Sequence, residues 1–129
     1  YQIEMKTLDS FGFSNIGFIK IDTEGNEMPI LIGAKKSIKA NLPTIMIEVL
    51  ANTPVDNSEF IWEFLYEKFG YNCVHLEEGK LVNTPNGQYL GKITKRSGDR
   101  SFNYIFIHPT KLIELFTTHH LQGEESVQN

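Results

Sequence analysis

Three carboxylates in this sequence stand at the ends of two apolar runs. Asp22 and Glu24 follow the run at 16–21 (IGFIKI), and Glu48 lies in the run at 44–50 (TIMIEVL). Short β-branched runs of this kind are expected as strands buried on both faces of a parallel sheet. Ligands in open α/β sheets bind beyond the carboxyl ends of the strands. Asp22 and Glu24 are therefore expected to face a cleft, and Gly25 permits the tight turn that follows them. A glutamate within TIMIEVL is costly to bury unless it is paired or partly wet. Asp22, Glu24 and Glu48 together make a concentrated acidic site, with Lys20 and Asn26 beside it as candidates for binding a substrate. The chemistry available to such a group is proton acceptance by a carboxylate general base. The same residues also have a plainer reading. Asp22 and Glu24 could cap the helix that opens near Asn26, and Glu48 could pair with Lys20 as a buried ion pair.

The elements that position these residues follow from periodicity and punctuation. Residues 1–7 alternate loosely, which suits a short strand, and 8–15 carry turn residues that suit a turn or a short helical segment. Residues 26–40 read as one helix with Met28, Leu31, Ile32 and Ile38 on a stripe and Pro29 in the first turn. Pro43 breaks the chain before the second strand, and 51–56 form a loop. The next helix is expected from Asp56, paired with Glu59 in a capping-box-like arrangement, to Gly70 as its C′ residue. Residues 72–76 read as a third strand, 80–82 and 88–94 as hairpin pieces around Pro85-Asn86-Gly87, and 103–108 as a final strand. A short helix at 111–117 follows, opened by Pro109-Thr110. One domain is expected over 1–118, with 119–129 a disordered tail. Alternation of strand and helix predicts an α/β fold with a parallel sheet, and the close spacing of the last strands predicts one antiparallel member.

Composition bounds the function. At 129 residues, the chain has room for one domain, and 40% hydrophobic residues can form a core. Twelve Lys and Arg against 16 Asp and Glu give a net charge of −4, which disfavours a phosphate-backbone binder and nucleic acid as a partner. The single cysteine, Cys73, cannot form an internal disulfide, which favours a reducing, cytoplasmic setting; mid-strand, it reads as a small core residue. No apolar run approaches the roughly 20 residues of a membrane span. His75, His108, His119 and His120 match no metal-ligand spacing, so no metal is expected. Lys95, Arg96 and Arg100 read as a solvated loop that could touch a phosphorylated substrate. Phe60, Trp62, Phe64 and Tyr66 stand at helical spacing and read as packing residues. No nucleotide-binding, P-loop or hydrolase-elbow motif occurs.

The segment from Ile19 to Glu27, followed by Leu31 and Gly33-Ala34, resembles the K-I-D-x-E-G-x-E … L-x-G-A signature of the FkbM-type methyltransferases. Thr7-Leu8-Asp9 resembles the T-L-D that precedes it there, 43–49 (PTIMIEV) the family's P-x-x-x-x-E strand, and Asn103-Tyr104-Ile105-Phe106 its N-Y-x-F strand. The resemblance spans Thr7 to His108. It implies a three-layer, Rossmann-like class I fold with strand order 3-2-1-4-5-7-6 and the seventh strand antiparallel. This chain would supply strands four to seven, the C-terminal half of such a domain. It also implies S-adenosylmethionine as cofactor, with a glycine-rich binding loop outside this sequence. Tyr1 in place of a methionine accords with a chain cut from something longer. The implied reaction is O-methylation of a small-molecule acceptor, such as a sugar or glycan hydroxyl. Asp22 or Glu24 would be the base, and Glu48 would orient the substrate or the other carboxylate. The competing expectation is a non-catalytic α/β remnant or interaction module, marked by the missing cofactor loop.

Overall fold

A computed structural model describes residues 2–50, 57–77, 79–84 and 101–113. The chain opens without regular structure at 2–7, passes through a 3-10 turn at Leu8–Phe11 and enters strand β1, Phe18–Ile21. Helices α1 (Glu27–Gly33) and α2 (Lys35–Asn41) lead to strand β2, Thr44–Leu50. Helix α3 (Ser58–Trp62) winds on as a π-helical stretch, Glu63–Lys68. Strands β3 (Asn72–Glu77), β4 (Lys80–Asn83) and β5 (Ser101–Ile107) follow, and a helical turn at 109–113 ends the described chain.

The five strands form one mixed sheet in the order β1-β2-β5-β3-β4. β1 lies parallel to β2, in a register that sets Lys20 against Met46 and Ile21 against Ile47. β5 inserts antiparallel between β2 and β3, pairing Glu48 with Asn103, Ile47 with Tyr104 and Cys73 with Phe106. β4 folds back on β3 as an antiparallel edge, with Gly79 at φ +76 in the tight turn between them. This is the α/β class and the antiparallel late strand that the pattern predicts.

Burial alternates along the strands with a period of two. Ile45, Ile47 and Val49 of β2 are buried, while Thr44, Met46 and Glu48 are only partly covered. Ile21, Tyr104, Phe106 and Cys73 share the buried face, which meets Leu31, Ala34 and Ile38 of the first helix pair and Ile61, Trp62, Phe64 and Leu65 of α3 and its continuation. Among the described residues the helices cover one face of the strands, where the apolar runs suggest burial on both. The other face carries Lys20, Met46, Glu48 and Asn103. The described elements make two layers, and a second helical layer is not among them.

Three local expectations are corrected. Residues 2–7 form no strand, and Ile3 and Met5 stand in solvent at 86% and 94% exposure. Ile32 likewise faces out of α1 rather than joining the apolar stripe. The expected single helix at 26–40 divides at Ala34, whose ψ of 4° takes it out of helical geometry. The division has a distant cause. The Asp9 carboxylate accepts the backbone N–H of Lys36 (2.9 Å), the backbone N–H of Ser37 (2.8 Å) and the Ser37 hydroxyl (2.8 Å). Those are orphan donors of a helix first turn, so a second helix starts where Asp9 caps it. Gly33 makes room for this arrangement, because a Cβ there would meet Thr7 Cγ2 at 3.1 Å. The third helix starts after Asn57, and Asp56, the expected capping-box partner of Glu59, lies outside the described residues. Gly70 ends the π-helical stretch at φ +73, as its C′ role predicts.

The hydrogen bonds from Lys36 and Ser37 hold the Asp9 carboxyl below its ordinary value of 3.8, against the opposing effect of burial. A carboxyl lowered on folding stabilises the fold above its unfolded pKa and loses that contribution as pH falls through the folded value. Replacement Asp9→Ala should therefore destabilise the chain by about 1–2 kcal/mol at neutral pH, the range of a lost N-cap. The difference from wild type should shrink on acidification below about pH 4. Urea unfolding at pH 7 and pH 3 reads both effects.

Candidate functional site

β1 ends at Ile21, paired in parallel with Ile47, so the chain leaves the sheet beside the next residue of β2. Asp22 and Glu48 therefore come together at the mouth of the sheet. The side chain of Glu48 beside it is the first of the influences that hold Asp22 below the ordinary carboxylate range. Lys20 is the second, donating from Nζ to Asp22 Oδ2 at 3.0 Å. The lysine is in turn raised, first by its bond to Asp22 and then by the charges of Asp22 and Glu48. Asp22 is exposed and Glu48 half-buried, so the pair is open to a ligand.

Glu24 stands apart from this pair. It is exposed and makes no hydrogen bond or ion pair among the described residues. Its backbone is left-handed, φ +51, and Gly25 follows at φ +112. Asn26 is exposed too, with its amide donating to the Thr23 carbonyl at 3.4 Å. The structure thus joins Lys20, Asp22 and Glu48 and leaves Glu24 and Asn26 on the following turn.

Neither Asp22 nor Glu24 caps α1. The cap residue Asn26 makes no side-chain cap bond either. Glu27, which sequence reasoning left out of the site, stabilises the turn instead. It is 5% exposed, and its Oε1 accepts the Gly25 N–H (2.9 Å) and the Thr23 hydroxyl (3.2 Å). Asn57 Nδ2 donates to the Gly25 carbonyl at 3.1 Å from across the fold. Asn103, exposed on β5 opposite Glu48, is a third residue that the sequence, where it stands only in the N-Y-x-F strand block, did not place at the site. Its signal was the strand register, which a single sequence does not carry.

The remaining candidates are structural or lie elsewhere. His75 is buried, with Nδ1 at 2.8 Å from the Thr84 hydroxyl. His108 lies edge-on to buried Tyr71, and its Nδ1 bonds the Thr110 hydroxyl at 2.8 Å. Trp62 and Phe64 pack into the core while Phe60 and Tyr66 face outward. Lys95, Arg96, Arg100, His119, His120 and the Pro85-Asn86-Gly87 turn lie outside the described residues. Among the described residues no group of three His, Cys, Asp or Glu could hold a metal ion, and no helix is long and apolar enough to cross a membrane.

The fold and the open carboxyl pair define an α/β domain with an acidic site at its strand ends. The chain belongs to the FkbM methyltransferase family, whose domain model matches residues 1–73. The match covers the Asp9 turn, the β1–α1 turn and Glu48, and it stops within β3. The Asn103-Tyr104-Ile105-Phe106 strand lies beyond it, so the family resemblance is shorter than the sequence blocks suggest. It also falls on the N-terminal part of this chain, which does not support describing the whole chain as a C-terminal half. No curated protein and no solved structure matches the chain.

Cys73 is buried and its thiol is pushed up to about 12 by desolvation, a rise only partly offset by a hydrogen bond with Thr84. The thiolate is the reactive form. The native chain at pH 7 should therefore react with a thiol-specific disulfide reagent far more slowly than the urea-unfolded chain. Equal rates in the two states would show that Cys73 is not held in the core.

Proposed function

We propose that this protein transfers a methyl group from S-adenosylmethionine to a hydroxyl oxygen of a small-molecule acceptor, with a sugar or glycan hydroxyl the favoured class. The observation that carries the reading is the meeting of Lys20, Asp22 and Glu48 where β1 ends beside β2, inside the segment that matches the methyltransferase family. The sheet supports it as well. The order β1-β2-β5-β3 with β5 antiparallel is the order 4-5-7-6 that the class I methyltransferase fold implies.

The donor set suits the cofactor's charged end. Carboxylates around a strand mouth favour a cationic sulfonium, and Asp22 and Glu24 are the residues of this chain that would face it. When bound, S-adenosylmethionine supplies an electrophilic methyl group. The chain's own residues prepare the acceptor. Asp22 accepts the hydroxyl proton, a role open to it because its carboxyl is ionised at neutral pH. Glu48 stands beside Asp22 and orients the acceptor. Lys20 offsets the charge of the pair, and Asn26 offers an exposed amide to the acceptor's other oxygens. The net charge of −4 argues against nucleic acid as that acceptor.

The test is methyl transfer by the intact protein from isotopically labelled S-adenosylmethionine to a panel of sugars and other hydroxyl compounds. Replacement Asp22→Asn should lower kcat by about 10²–10⁴-fold, the usual contribution of a positioned base, with little change in melting temperature. Glu48→Gln should lower it less, because an amide still holds Asp22. Wild-type turnover in Asp22→Asn would remove Asp22 from the reaction.

A further inference from the structure

One residue in the turn after β1, Gly25, is held through both of its flanking peptide groups. The Gly25 N–H donates to Glu27 Oε1, and the Gly25 carbonyl accepts from Asn57 Nδ2. Both partners forgo a more ordinary role. Glu27 is a buried carboxylate with no cation beside it among the described residues, satisfied there by Gly25 and Thr23. A buried carboxylate persists only where such charge-assisted bonds meet it. Asn57 occupies the N-cap position of α3, where asparagine normally accepts from its own helix, yet it makes no side-chain cap bond. Its amide reaches instead to a residue 32 positions earlier in the chain.

The residue held beside this grip is Glu24, at φ +51. A residue with a Cβ keeps left-handed backbone only where its surroundings fix it, and such residues gather at functional sites. Glu24 gains nothing from the strain through contacts of its own, since its side chain is exposed and makes no hydrogen bond or ion pair among the described residues.

We infer that Glu27 and Asn57 are positioning residues, which clamp Gly25 so that Glu24 keeps its left-handed backbone and presents a ligand-facing carboxylate at the same strand mouth as the Asp22–Glu48 pair. This rests on the reading of that mouth as the methyl-transfer site. It adds to the site two residues that touch no reacting atom and act through a third.

The experiment is a double-mutant cycle in the intact protein, using Asn57→Asp and Glu24→Ala. Aspartate keeps the shape of asparagine and can still cap α3, but it cannot donate to the Gly25 carbonyl. Asn57→Asp should lower kcat by about tenfold or more with KM changed by less than about threefold. In the Glu24→Ala background the same substitution should lower kcat no further, because the clamp acts through Glu24. Additive losses, or wild-type kcat in Asn57→Asp, would overturn the inference. If the wild-type protein transfers no methyl group to any acceptor, the methyl-transfer reading fails, and the clamp is then judged by unfolding alone. Asn57→Asp should shift the unfolding midpoint in wild type and not in Glu24→Gly, where a left-handed backbone needs no holding. An equal shift in both backgrounds would overturn it.

Discussion

The parallel pairing of β1 with β2 is the constraint on which the rest of this molecule depends. Two parallel strands cannot be joined by a tight turn, so the chain between them must leave the sheet, cross one face and return. The helices α1 and α2 make that crossing, and their buried side chains, Leu31, Ala34 and Ile38, cover the sheet residues Ile21, Ile45 and Ile47. The same register that pairs Ile21 with Ile47 brings the residue after β1 beside the next residue of β2. Asp22 meets Glu48 as a consequence of core packing, and the site is as fixed as the hydrophobic face beneath it.

A carboxyl pair formed in this way needs an open side. It has one because, among the described residues, the helices cover one face of β1, β2 and β5, and Lys20, Glu48 and Asn103 share the other. Lys20 and Glu48 keep Asp22 ionised at the mouth while leaving it in contact with solvent. The turn beyond it is held by longer-range bonds. Glu27 and Asn57 fix Gly25, and Asp9 fixes the start of α2. The spacing of Thr7-Leu8-Asp9 and Gly33-Ala34 thus has a mechanical meaning: Thr7 lies against Gly33 while Asp9 caps the helix that follows.

How much of this was legible in the sequence follows from the range of each interaction. The β2 strand falls at 44–50 as read from its apolar run, and β3 differs by one residue at its end, because such runs report local burial. The helix at 26–40 was misread as continuous, since its apolar stripe runs through Ala34 and nothing local announces that Asp9 starts a second helix. Burial on both faces was misjudged for the same reason: an apolar run shows that side chains can be buried, not that elements exist to cover them. In the site, Asp22, Glu48 and Lys20 were legible as strand-end residues. Glu24 was legible as an acid but not as the strained residue of the turn. Glu27 and Asn57 passed as ordinary residues of a helix first turn and Asn103 as a strand residue. Each acquires its role only through a partner that the fold brings near.

The central claim is that Asp22 and Glu48 form one joined carboxyl pair whose open member stays ionised. Carboxyl-detected NMR titration of Asp22 tests it most directly, in the wild-type chain and in Glu48→Ala. The account predicts that Asp22 titrates below 3.8 in wild type and moves upward when Glu48 is removed, because its largest stabilising partner is lost. An Asp22 that titrates at or above the ordinary value and does not respond to Glu48→Ala would contradict it.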